Sequence, residues 1–155
     1  MFDQINGLPV HALVVHAVVV FVPLLAIGAI VYALAARLRP RIDWAVGLLA
    51  IVAPITALVA MLSGNQLHQR LLDQGLKGRG AEIIADHQGF GTLTFWFTLG
   101  LGIVTLVMLA LSRRPSAPRA AGVGLSVVMV LLGAVSAYFC FRTGDSGATA
   151  VWGQY

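Results

Sequence analysis

Four long apolar runs, separated by short polar stretches, govern what this 155-residue chain can become. A hydrocarbon layer about 30 Å thick takes about 20 apolar residues of helix to cross. Four segments meet that length, at about residues 8–36, 44–62, 90–111 and 120–141. Inside lipid every backbone N–H and C=O must find a partner within its own segment, so such runs become helices. Composition agrees: 59% of residues are hydrophobic and 10% charged, too few charges to cover a soluble domain. The expected fold is all-α, an integral membrane four-helix bundle running up-down-up-down as one domain over residues 1–155. An outer loop is expected at 63–89. The first run is too long for a signal-peptide core and has no Lys or Arg before Arg37, so it is expected to be a retained anchor.

Arginine placement orients the bundle. The first short connection holds Arg37, Arg39 and Arg41, and the third holds Arg113, Arg114 and Arg119. The middle loop dilutes Arg70, Lys77 and Arg79 with Asp73, Glu82 and Asp86. By the positive-inside rule the two arginine loops are cytoplasmic and both termini extracytoplasmic. The formal charge of +4 is then a matter of topology and headgroups, with no soluble basic face for nucleic acid. Cys140 is a lone cysteine and cannot form an internal disulfide.

In this topology His11, His16, His68 and His87 all fall at the outer edge, with Asp145 just beyond the fourth span. Imidazole ligates iron, copper and zinc through a neutral ring nitrogen, and a four-helix bundle can aim such groups inward. Haem takes one or two axial ligands on facing helices, whereas copper or zinc takes three or four converging groups. Five residues of helix turn by about 140° beyond one full turn, so His11 and His16 diverge. The alternative for each histidine is a headgroup-depth residue that only meets water. No histidine lies at the inner edge, which disfavours two haems stacked across the bilayer. Cys140 reads as a packing residue, and Phe95, Trp96 and Phe97 as packing or anchoring rather than a quinone pocket. Gly100, Gly102, Gly122 and Gly124 favour close helix approach. No midplane charge or broken-helix pair marks a transport path.

The halves share a plan. Each starts with histidine at the outer edge, turns at an Arg-Pro loop, and ends in a small-Gly-polar triplet, Ser63-Gly64-Asn65 or Thr143-Gly144-Asp145. A parallel repeat of this kind would bring His16 and His87 toward the axis from opposite helices. Between spans two and three, Leu67, Leu71 and Leu72 suggest a short interfacial helix, broken by Gly75, Gly78 and Gly80, that folds over the bundle as a lid.

The opening Gly7-Leu8-Pro9-Val10-His11 through Val14-Val15-His16, the histidine that opens the third span (His87), and the ending Thr143-Gly144-Asp145-Ser146-Gly147-Ala148 resemble a family of small bacterial membrane proteins, domain of unknown function 2231. The resemblance covers essentially the whole chain. It implies a four-helix protein of the bacterial inner membrane and an affinity with haem-binding, cytochrome-like bundles. Many members look as though they carry histidine where this chain has Asp145, which would remove one possible ligand here.

The sequence therefore points to a membrane redox or metal-binding protein with haem b, or copper or zinc, at the outer face. His16 and His87 are the expected ligand pair, with His11, His68 and Asp145 as further ligands or supports. Electrons would be exchanged with quinol or a periplasmic partner, and a binding subunit is favoured over a stand-alone enzyme. The alternative is a non-catalytic accessory or assembly subunit of a larger respiratory complex, or a homo-oligomer, held in the lipid bilayer.

Overall fold

The structure is a computed structural model that describes residues 4–5, 8–114, 116 and 118–153. Four long helices fill it: α1 (Val10–Leu34), α2 (Arg39–Asp73), α3 (Arg79–Ser112) and α4 (Arg119–Trp152). Each contains a stretch long and apolar enough to cross a membrane. A two-residue antiparallel bridge precedes α1, with Gln4 opposite Pro9 and Ile5 opposite Leu8. Pro9 ends this extended segment, and α1 begins at the next residue, Val10.

Three of the helices outrun the expected spans. α2 continues unbroken through Leu67–Leu72, so the expected interfacial helix is its own extension. α3 begins at Arg79, and α4 runs to Trp152, placing Thr143-Gly144-Asp145 inside a helix. Only Gln74–Gly78 joins α2 to α3, with Gly75 and Gly78 at φ 94° and 64°, and among the described residues no lid crosses the bundle. Hydropathy reports where lipid ends, and helical hydrogen bonding does not stop there. Pro23 and Pro54 lie inside continuous helices.

The helices form a ring in which each sequence neighbour packs on the next and α4 closes onto α1, leaving α1 and α3 across a diagonal. Large apolar side chains such as Val19, Leu24, Ile27, Ile51, Ile103 and Leu131 face outward, while Ala26, Ala29, Ala50, Ala53, Ala57 and Thr98 face in. Lipid removes the hydrophobic drive to bury leucine, so close backbone approach holds membrane helices together. Gly102 provides one such approach, since a Cβ there would lie 2.5 Å from the Ala50 carbonyl oxygen. Gly122 and Gly124 have open space beside them and provide none.

An internal repeat is present, in a register unlike the expected one. When α1 is slid along the chain until His11 falls on His87, its buried Val18, Val22, Leu25, Ala26, Ala29, Tyr32 and Ala33 fall on Thr94, Thr98, Leu101, Gly102, Thr105, Met108 and Leu109. All of these are buried. When α2 is slid until Gly64 falls on Gly147, the buried Val46, Ala50, Ala53 and Ala57 fall on Met129, Gly133, Ser136 and Cys140, all buried again. The two hairpins are related by a pseudo-twofold axis along the bundle.

At the end with the turns of the hairpins, Arg39 caps α1. Its Nε donates to the Tyr32 carbonyl at 2.9 Å and its Nη2 to Ala33 at 3.2 Å, with the guanidinium 5.2 Å from the Tyr32 ring centroid. This is the arginine end. The opposite one is the histidine end.

A candidate paired-histidine site

His11 sits in the first turn of α1 and His87 in α3, well inside that helix but at the same end of the bundle. Both rings are half-buried and meet across the diagonal, with centroids 5.9 Å apart and planes at 87°. Each ring is latched to the second helix of its own hairpin. His11 Nδ1 donates to the Ala60 carbonyl at 2.9 Å, and His87 Nδ1 donates to the Thr143 carbonyl at 2.9 Å. His87 Nδ1 also lies 3.2 Å from Ser146 Oγ, which itself donates to the Thr143 carbonyl. Ser63 makes the matching bond to Ala60.

A glycine one turn past each carbonyl makes room for the ring. A Cβ at Gly64 would lie 2.9 Å from His11 Cε1, and one at Gly147 would lie 2.9 Å from His87 Cε1. The unit is therefore a histidine on one helix and, on the next, a carbonyl, a serine three residues later and a glycine four residues later. It occurs twice.

The hydrogen bonds settle the chemistry each ring can offer. A carbonyl only accepts, so Nδ1 carries the proton and, in the neutral ring, Nε2 carries the lone pair. Latching Nδ1 to a carbonyl is the arrangement that fixes ring orientation and tautomer in ligating histidines.

The other candidates lie elsewhere. His16 is exposed and its Nδ1 donates to Ala12 of its own helix at 2.8 Å, so the ring pair across the diagonal is His11–His87 and not His16–His87. The divergence of His11 from His16 is as helical rotation requires. His68 hydrogen-bonds the side chain of Gln88, whose amide donates to Asn65 Oδ1 at 2.8 Å, tying the extended ends of α2 and α3 together beside the pair. Asp145 and Glu82 are exposed. Cys140 is buried in the apolar core. Among the described residues no three His, Cys, Asp or Glu side chains converge as a metal cluster. Phe97 stacks on Phe139 at 5.3 Å and Trp96 faces outward, consistent with packing and anchoring.

Sequence reasoning missed Ala60, Gly64, Thr143, Ser146 and Gly147 as parts of the site. The signal was available in the two Ser-Gly pairs, Ser63-Gly64 and Ser146-Gly147, which align the hairpins correctly where the glycine-centred triplets do not.

The family model described as a predicted membrane protein, DUF2231, matches residues 7–154. No curated protein and no solved structure matches the chain. The chain belongs to this membrane protein family.

Proposed function

We propose that His11 and His87 would hold a b-type haem at the histidine end, which would make this a membrane electron-carrying subunit. The observation that carries the reading is the ring pair itself: two tautomer-fixed imidazoles, perpendicular, with centroids 5.9 Å apart. A centroid separation of this size is within reach of two imidazole nitrogens each bound at about 2 Å to one ion. Donor number also fits, because haem needs only two protein ligands whereas a closed zinc site needs four. Copper held by the same two nitrogens is the competing metal.

Bound there, haem would supply one-electron chemistry. The chain's own work is to hold both Nε2 lone pairs in place through the Ala60 and Thr143 carbonyls. Gly64 and Gly147 keep the helices from displacing the rings. By the positive-inside rule this end would lie on the outer face of the membrane, where quinol or a periplasmic carrier could exchange electrons with it.

A visible spectrum and metal analysis of protein purified after expression with haem and copper supplied test the reading. A Soret band is expected in the wild type and in His16→Ala, and lost in His11→Ala and His87→Ala. Stoichiometric copper without a Soret band would replace haem with copper. Absence of both would sink the redox reading. That outcome would favour the second reading, an accessory subunit in which the histidine–carbonyl bonds are purely clamps between helices.

A further inference from the structure

The interior of the second hairpin is polar where the first is not. Thr98, Thr105 and Ser136 are each fully buried, and their hydroxyls find no partner among the described residues. Thr94 and Thr143 join hydroxyl to hydroxyl at 2.9 Å at the histidine end, and the Thr143 carbonyl receives His87 Nδ1. A buried hydroxyl left unpaired costs about 1–3 kcal/mol, and in a membrane interior only protein or trapped water can satisfy it.

The hydroxyls are evenly spaced. At 1.5 Å per helical residue, Thr98 lies about 6 Å below the Thr94–Thr143 pair along the axis, Ser136 about 10.5 Å and Thr105 about 16.5 Å. Successive axial steps are then about 6, 4.5 and 6 Å; one water hydrogen-bonded to two oxygens spans about 4.5 Å and at most about 5.6 Å, so the short step takes one water and each longer step two. Beyond Thr105 the fully buried Tyr32, at the level Met108 holds in the other hairpin, engages the Ser112 and Asp43 side chains. One Asp43 carboxylate oxygen is buried with no partner among the described residues, while the other lies 3.9 Å from the Arg113 guanidinium. Arg39 and Ser112 line a groove of about 820 Å³ at the arginine end.

We propose that this column of hydroxyls and intervening water conducts protons through the bundle, between the Tyr32–Asp43 cluster and the Thr94–Thr143 hydroxyl pair at the histidine end. Each hydroxyl accepts a proton on one side and releases its own on the other, so O–H bonds are exchanged and none is lost. No oxidant or reductant is consumed. One positive charge crosses per event. The path does not depend on whether the histidines hold haem.

The test uses the full chain reconstituted in phosphatidylcholine vesicles containing a pH-sensitive dye, with a potassium diffusion potential imposed through valinomycin. Wild-type vesicles should change internal pH faster than protein-free vesicles. Combining Thr98→Val with Ser136→Ala should bring the rate down to the protein-free level. Thr98→Ser, which keeps the hydroxyl, and Thr149→Val, on the exposed surface, should keep the wild-type rate. A wild-type rate equal to that of protein-free vesicles would overturn the proposal, as would a combined variant that conducts like wild type. Should the combined variant fail to fold, Ser136→Ala or Thr105→Val alone makes the same decision.

Discussion

The two hairpins share a backbone plan and a histidine latch, yet their interiors differ. In the first, the inward positions are Val18, Val22, Ala29, Ala53 and Ala60. In the second, the matching positions are Thr94, Thr98, Thr105, Ser136 and Thr143. One surface of the bundle core is hydrocarbon and the facing one carries hydroxyls. The latch depends on a carbonyl and a glycine, backbone features that survive such replacement. The interior positions answer to side-chain chemistry, and there the hairpins have parted.

The comparison can be broken most sharply at the glycines. Gly64→Leu and Gly147→Leu should each displace a histidine ring and cost about 1–3 kcal/mol of overpacking, read by unfolding in mixed micelles. Comparable losses in the two variants are the prediction. A loss confined to one would mean the latches are not equivalent.

A smaller effect tests the polar difference. Thr94→Val should remove the hydroxyl pair with Thr143 and cost on the order of 0.6 kcal/mol, typical of membrane-interior hydrogen bonds. Building Val18→Thr and Ala60→Thr into the first hairpin should recreate that pair. In a double-mutant cycle the two changes should show a favourable coupling of similar size. No coupling would mean the hairpins differ in geometry as well as chemistry. Smallest of all is His16→Ala, which should change stability by less than about 0.5 kcal/mol, as for an exposed side chain with one bond to its own helix.

The four spans, the closed bundle and the gathering of histidines at one end were legible because hydropathy over twenty residues is a strong signal. Helix ends were not, since α2, α3 and α4 carry polar residues such as Gln66, Gln69 and Glu82 past the apolar limit without losing a hydrogen bond. The expected repeat favoured His16, but matching the two halves by their loop triplets does not say which way a ring faces. His11 reaches α2 because it sits on the side of α1 that packs there. The hydroxyl column was invisible for a related reason: Thr94, Thr98 and Thr105 blend into apolar surroundings, and only the fold shows that they share the inner face.

The latches also bear on biosynthesis. Each histidine–carbonyl bond lies within one hairpin, His11 to Ala60 and His87 to Thr143, so neither needs the other half of the chain. The first hairpin can close while the ribosome is still making the second. The ring-to-ring contact, like the Gln88 bonds to His68 and Asn65, requires both halves, so the His11–His87 pair is complete only once the second hairpin has been made.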